Sequence, residues 1–233
     1  MLQAHTPMPN LAFVGGGATL RHQAYEMIKR SILAMDIYNG STEIRLEENH
    51  IARELGVSRT PVREAMSLLE QEGLVRSIPR RGLFVVRKTK RELIEMITVW
   101  AALEGTAAYL AATRATDAEL ADLGEMFDSF TLSGLANRLD DYADANIAFH
   151  QAIIRLGGCQ LMVEMSANLF VHVRAIRSTS IRQDGRPDRS MREHAAIIAA
   201  LQARAAERAA ILVRDHALGL ASHVEAHWSL PET

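Results

Sequence analysis

Two groups of residues in this 233-residue chain have types and spacings that can do chemistry. The first is a set of nitrogen and oxygen donors. Asn146 and His150 are four residues apart, so on a helix they project from one face, one turn apart, and both can reach one metal ion. His194 and His216 are 22 residues apart. One unbroken helix would hold them about 33 Å apart at roughly 1.5 Å per residue. A turn near Ala205 would instead leave each of them 11 residues from the bend, side by side. A metal reading therefore requires a break there. Hydrogen-bonded or surface histidines are the bland alternative. A hydrolase reading, in which the ion activates water, lacks a base, because Glu193 is adjacent to His194 and helical neighbours point about 100° apart. His223 and His227 also stand four apart, but the glutamate between them is not where a zinc-protease motif needs it, so they read as a solvated helix face.

The second group is the run Gly56-Val57-Ser58-Arg59-Thr60-Pro61-Val62-Arg63-Glu64-Ala65. Glycine permits a tight reversal between two helices, Ser58 caps the next helix, and Pro61 is tolerated in a first turn whose N–H groups lack partners. Ser58, Arg59, Thr60 and Arg63 would then project from a helix N-terminus, the end that enters a major groove in helix-turn-helix proteins. Arginine can grip guanine O6 and N7 with two hydrogen bonds, and hydroxyls hold phosphates. Arg80, Arg81 and Gly82 form a basic turn between two β-like stretches, suited to phosphate or minor-groove contact. A solvated basic face is the alternative for any one of these arginines, but their combination within about 30 residues favours DNA.

The elements that must carry these groups are visible as periodicity. Leu20, Ala24, Met27, Ile28, Ile32 and Leu33 describe an amphipathic helix over about 18–35, stopped by a polar turn at Asn39-Gly40-Ser41. A second helix is expected from Leu46 to Leu55 with Ile51, Ala52 and Leu55 inward, and a third from Ser58 to about Glu72 or Gly73 with Val62, Ala65, Leu68 and Leu69 inward. Leu74–Ile78 and Leu83–Val86 read as a two-stranded wing. Beyond the basic stretch Arg87–Arg91, helices are expected over about 92–114, 117–133, 136–157, 159–180, 188–203 and 206–228, in alanine-rich sequence of high helix propensity. The domain plan is a flexible tail 1–17, a winged helix-turn-helix 18–87, a linker 88–91, an all-helical domain 92–228 and a tail 229–233.

Composition bounds the rest. Hydrophobic residues are 48%, charged residues 23% and aromatics 5%, values that favour aliphatic helix packing over an aromatic β-sandwich. Cys159 is the single cysteine, which excludes an internal disulfide or a zinc ribbon and fits a reducing cytoplasm. No stretch approaches the roughly 18–20 uncharged apolar residues of a membrane span, so no membrane partner is expected. The net charge of −2 conceals an asymmetry: residues 18–91 carry 14 Lys and Arg against 9 Asp and Glu, and the remainder carries 12 against 19. A basic block ahead of an acidic one suits a polyanion-binding module joined to a module with another task.

Residues 46–85, LEENHIARELGVSRTPVREAMSLLEQEGLVRSIPRRGLFV, closely resemble the DNA-binding domain of the GntR family of bacterial transcription regulators. The resemblance implies that Arg59, Thr60 and Arg63 contact DNA, together with Ser58 and the wing tip Arg80, Arg81 and Gly82. One departure is the replacement of a short Pro-Gly turn by Asn39-Gly40 with about three extra residues in Ser41–Arg45, which puts backbone contacts there in doubt. Residues 92–228 resemble the helical FCD effector domain of the FadR-like subfamily. That likeness implies a divalent metal held by Asn146, His150, His194 and His216 beneath an effector cavity. Neutral imidazoles suit Zn²⁺ or Ni²⁺, and one weak amide oxygen leaves positions for water or a carboxylate. Asparagine in place of the commoner aspartate removes one negative charge.

Two further departures from the subfamily stand out. Arg204-Ala205 replaces the Gly-Asp pair that commonly breaks the last two helices, so packing must enforce the hairpin. Trp100 stands one turn before Leu103-Glu104, where such domains often carry an effector-binding arginine. An effector with an apolar part would fit there, with Arg174 and Arg177 as candidates to hold its carboxylate. The expectation is a mainly α, cytoplasmic, homodimeric transcription factor on a pseudo-palindromic operator, a repressor controlled by a small carboxylate or sugar acid. A purely dimerising second domain with vestigial histidines is the alternative, and a metal-dependent hydrolase the remoter one.

Overall fold

The structure is a computed structural model that describes residues 19–35, 37–38, 43–131, 134–182 and 185–228. The two expected tails and the turn at Asn39-Gly40-Ser41 lie outside the described residues. The chain divides into two compact units between Arg87 and Lys88.

In the first unit, helix α1 (Leu20–Ala34) is capped by Thr19, whose side chain accepts from the His22 N–H, and it buries Ala24, Met27, Ile28 and Ile32. Leu20, expected in that stripe, is instead 52% exposed. That partner is α3 (Arg59–Gln71), which turns Val62, Ala65, Met66 and Leu69 inward. Between them lie strand β1 (Arg45–Leu46) and helix α2 (Glu48–Glu54). Helix α2 ends where Gly56 takes φ +64°: its N–H reaches Arg53 O at 3.2 Å and the Val57 N–H reaches Ala52 O at 3.0 Å. A left-handed residue satisfies the orphan carbonyls in this way, and glycine adopts that conformation without steric penalty.

The wing differs from the sequence reading. β2 (Val75–Ile78) and β3 (Gly82–Val85) pair antiparallel as expected, with Arg76 opposite Phe84. The sheet nevertheless has three strands in the order β1-β3-β2, with Arg45 opposite Phe84 and Leu46 opposite Leu83. Leu46 is therefore the end of a strand rather than the start of a helix. A lone two-stranded ribbon is marginal in water, and β1 covers the free edge of β3 while burying Leu46 to 5% exposure. The extra residues Ser41–Arg45 end in this strand.

The second unit is helical. Thr89 opens α4 (Lys90–Arg114) and Thr116 opens α5 (Asp117–Asp128), each by a reciprocal capping box with the glutamate three residues on, Glu92 and Glu119. A short 3-10 turn at Leu135–Arg138 leads into α6 (Leu139–Leu156), followed by α7 (Gln160–Ser180), α8 (Arg186–Gln202) and α9 (Ala206–His227). The expected helix over 117–133 stops at Asp128, where the following Ser, Thr and Gly residues favour turns.

Helices α4 and α9 form the main packing pair. Their approach is close because Gly105 leaves room for the Ala210 carbonyl, which an added Cβ would meet at 3.1 Å. Helix α4 is long and apolar enough by composition to cross a bilayer, but Leu93, Ile97, Trp100, Ala101, Ala108 and Ala112 are buried within the unit. Among the described residues no other helix meets that test.

The hairpin between α8 and α9 forms without glycine. Arg204 takes φ +56°, its N–H reaches Leu201 O, and the Ala205 N–H reaches Ala200 O at 3.0 Å. The Arg204 guanidinium donates to Ala115 O at 2.5 Å and Ala112 O at 3.3 Å, the terminal carbonyls of α4, and pairs with Asp117. A long-range arginine thus secures a left-handed turn that local sequence does not favour.

Candidate nucleic-acid interface and metal centre

Ser58 is the N-cap residue of α3 by backbone geometry, although its side chain makes no capping bond, so the hydroxyl remains available. Arg59, Thr60 and Arg63 follow on the exposed first turns, with Arg59 57% and Arg63 65% exposed. Glu48 at the start of α2 lies 3.7 Å from the Arg59 guanidinium and 3.8 Å from that of Arg63. A half-buried carboxylate at that range holds the two exposed cations loosely, and phosphates can compete with it. At the wing, Pro79 and Arg80 form the corners of a turn closed by the Arg81 N–H on Ile78 O at 3.0 Å. Arg80 has φ +63°, a position that favours glycine, and is exposed. Arg81 pairs with Glu43 at 2.6 Å and lies over the Phe84 ring at 5.3 Å, while Gly82 has φ +109° and packs on Arg45.

In the second unit, α6, α8 and α9 bring three buried imidazoles together. One ring nitrogen from each of His150, His194 and His216 lies within 4.8 Å of the other two. The outward nitrogens of two rings face carboxylates, which as acceptors favour the Nδ1–H tautomer. His150 Nδ1 donates to Glu104 Oε1, His216 Nδ1 donates to Glu193 Oε2 at 2.7 Å, and His194 Nδ1 lies 3.2 Å from the Tyr142 hydroxyl, which in turn donates to Ser190. The Nε2 atoms of His150 and His216 are then lone-pair donors, and so is that of His194 when its Nδ1–H donates to the Tyr142 hydroxyl. His150 Nε2 and His194 Nε2 face each other at 3.4 Å. Two such lone pairs repel unless a cation stands between them, and two ligands on a tetrahedral Zn²⁺ with bonds of about 2.0–2.1 Å sit about 3.4 Å apart. Asn146, one turn before His150, is 3% exposed and its Oδ1 has no hydrogen-bond partner. The donor set therefore fits a divalent ion.

The electrostatics agree with this. Burial holds His150 and His194 well below the ordinary imidazole range, with neighbouring cationic groups adding to the effect, and burial lowers His216 against the opposing pull of Glu193. Neutral imidazole is the form that ligates metal. Glu193 is held at about 2 despite partial burial, by hydrogen bonds from His216 and Arg189. Burial pushes the Glu104 carboxyl up to about 7, against the pull of Arg177, His216 and the Trp100 N–H. Glu193 turns away from its neighbour His194 toward α9, as a 100° helical step requires, and orients His216.

Arg177 is also here, 4% exposed on α7. Its Nη1 donates to His150 Nε2 at 2.7 Å and to His216 Nε2 at 3.2 Å, and its Nη2 lies 3.8 Å from Glu104 Oε2. Trp100 is buried, with its Nε1 donating to Glu104 Oε2 at 2.7 Å and its ring against Phe170. Arg174 pairs with Asp144 on α6 at 3.8 Å. A surface cleft lined by Asp122, Met126, Ala152 and Arg155 includes none of the histidines.

Sequence reasoning assigned no role to Glu104 or Tyr142, and considered Glu193 only as a base. Glu104 had a signal: it is the sole acidic residue between Glu95 and Arg114 in an otherwise apolar stretch.

His172, on the same helix as Arg177, is 3% exposed, and burial together with Lys88 lowers it to about 4. Below pH 6.5 the unfolded chain takes up a proton that the folded chain refuses. Its contribution is thus intact above pH 6.5 and declines as pH falls toward 4, by on the order of 3 kcal/mol. Urea unfolding at pH 7 and pH 4.5 is expected to show a smaller acid-induced loss in His172→Gln than in the wild type. An equal loss in both would remove His172 as the source.

Comparisons with known proteins agree with this architecture. Residues 20–85 match the family model described as bacterial regulatory proteins, gntR family, and residues 95–219 match the FCD domain. The HTH-type transcriptional repressor RspR of Escherichia coli (strain K12) is 29% identical over 193 residues, 82% of this chain and 83% of that protein. The gluconate operon transcriptional repressor of Bacillus subtilis (strain 168) is 30% identical over 132 residues, 57% of this chain and 52% of that protein. The solved structure of E. coli McbR/YncC has the same fold, with a TM-score of 0.70 at 22% identity, covering 90% of this chain and 98% of that one. With a winged helix-turn-helix ahead of an FCD bundle, the chain belongs to the GntR family of bacterial transcription regulators.

Proposed function

We propose that the chain is a homodimeric repressor on a pseudo-palindromic operator, released by a small carboxylate or sugar acid that binds the second unit beside a divalent ion. The observation that carries the DNA half is the exposed N-terminal turn of α3, where Ser58, Arg59, Thr60 and Arg63 are turned to solvent beside a basic wing. Arg59 and Arg63 read base edges, Ser58 and Thr60 hold phosphate, and Arg80, Arg81 and Gly82 follow the backbone or minor groove. In the second unit His150, His194 and His216 would hold Zn²⁺ or Ni²⁺ with Asn146 as the weak fourth donor. The ion would supply a positive anchor for an anionic ligand. Arg177, Arg174 and Trp100 are the residues assigned to the effector. The ligand acts by binding the DNA-competent and incompetent states with different affinity. The name of the gluconate operon repressor supports a sugar acid as the first class to test.

The test is a binding titration on operator and scrambled duplexes across salt concentrations. Arg59→Ala is expected to cost about 1–3 kcal/mol on the operator and to relax base preference at one position. Arg80→Ala is expected to weaken binding to both duplexes and to lower the salt slope by about one. Equal, sequence-independent losses in the two variants would overturn the assignment of Arg59 to base reading.

A further inference from the structure

The Arg177 guanidinium occupies an unusual position. A buried arginine ordinarily seeks carboxylates, but Nη1 here donates to two imidazole Nε2 atoms, at 2.7 Å on His150 and 3.2 Å on His216. Those are the lone pairs a metal ion would use. Its remaining donors are poorly served: Nε and Nη2 have no hydrogen-bond partner, although Glu104 lies 3.8 Å from Nη2. The cation thus lies on nitrogens of the cluster while most of its own fork stays unsatisfied and buried, a costly arrangement for a guanidinium.

We propose that Arg177 and a divalent ion are mutually exclusive occupants of the histidine cluster, so that ion entry displaces the guanidinium and turns it into a receptor for a carboxylate. The inference rests on the metal reading above and adds a coupling to it. One nitrogen lone pair cannot serve a metal and an N–H donor together, and two cations cannot share the space between three imidazoles. Once displaced, the guanidinium offers its planar fork, whose natural partner is a carboxylate. Metal and carboxylate then bind cooperatively, each raising the affinity of the other by the same factor.

Co²⁺ is a suitable probe, because its visible bands report imidazole ligation whether or not DNA is bound. Arg177→Met is expected to bind Co²⁺ roughly tenfold or more tightly than the wild type, since the competing donor is gone. Arg177→Lys keeps a cation beside Glu104 in case the methionine variant does not fold, and is expected to bind more tightly than wild type by a smaller factor. Acetate, the minimal carboxylate, is expected to bind the Co²⁺-loaded wild type at least tenfold more tightly than the metal-free protein, and to lose that affinity in Co²⁺-loaded Arg177→Met.

Unchanged or weaker Co²⁺ affinity in the folded variants would overturn the exclusion. Acetate held equally well by loaded wild type and loaded Arg177→Met would overturn the receptor half. Absence of cobalt bands in wild type and variants alike would overturn the metal reading itself, and the exclusion with it.

Discussion

Replacing Glu104 with alanine is expected to remove about 3–5 kcal/mol of stability from the second unit, the magnitude associated with stripping one partner from a buried ion pair. The carboxylate is fully buried and serves three groups at once: the Trp100 indole N–H at 2.7 Å, the His150 Nδ1–H, and the Arg177 guanidinium at 3.8 Å. Alanine leaves all three without that acceptor inside a closed helical core, where an unmatched donor is penalised far more than a matched one is rewarded. Both tryptophans, Trp100 and Trp228, lie in the second unit, so the midpoint of urea unfolding followed by tryptophan fluorescence reports that unit. Glu104→Ala combined with Arg177→Met should lose clearly less than the sum of the single losses, because the double change removes the unpaired cation as well. Additive losses would show that the two side chains do not act as a pair.

Zinc is expected to raise the stability of the second unit by about 4 kcal/mol when supplied at a thousand times its dissociation constant, and to raise it not at all in His194→Ala. His194 has the most constrained ring of the three. It stacks on Phe127 at 4.7 Å between centroids, contacts Phe149 at 4.9 Å, and lies within reach of the Tyr142 hydroxyl at 3.2 Å. These contacts orient the ring and its Nε2, and alanine removes that donor from the ligand set. Comparing each protein with and without zinc, against its own chelated baseline, separates metal stabilisation from the cavity that alanine leaves. Asn146→Ala should lose only part of the zinc effect, since an amide oxygen is a weak donor, and Asn146→Asp should strengthen it by adding a negative charge. A zinc effect preserved in His194→Ala would remove that histidine from the ligand set.

Most of the fold was legible in the chain because its signals are local. Glycines 56 and 73, with φ +64° and +73°, end helices where the sequence marks them. Thr89 and Thr116 begin helices three residues before the glutamates that complete their caps. Beginnings and ends of helices depend on neighbours within a turn or two, so the alanine-rich second unit could be divided into its six long helices, with ends displaced by up to five residues, as at Asp128. Strand β1 escaped, because two residues have no periodicity of their own and acquire their conformation from β3.

The residue types of the site were also legible: three histidines and an asparagine at spacings that one helix face and one hairpin can bring together, and arginines at the start of a capped helix. Their surroundings were not. Local chemistry along the chain specifies which side chains are available, where most helices start and stop, and that two modules follow one another. Tertiary structure alone decided that Glu104, 46 residues from His150, orients that imidazole, that Arg177 sits on the lone pairs a metal would need, and that Arg204 secures a glycine-free turn by capping α4. The physical reason is range. Backbone propensities act between neighbours in the chain, whereas desolvation and hydrogen bonding in a core act between whatever side chains the packing of helices brings within about 3 Å, at separations in sequence that no spacing rule encodes.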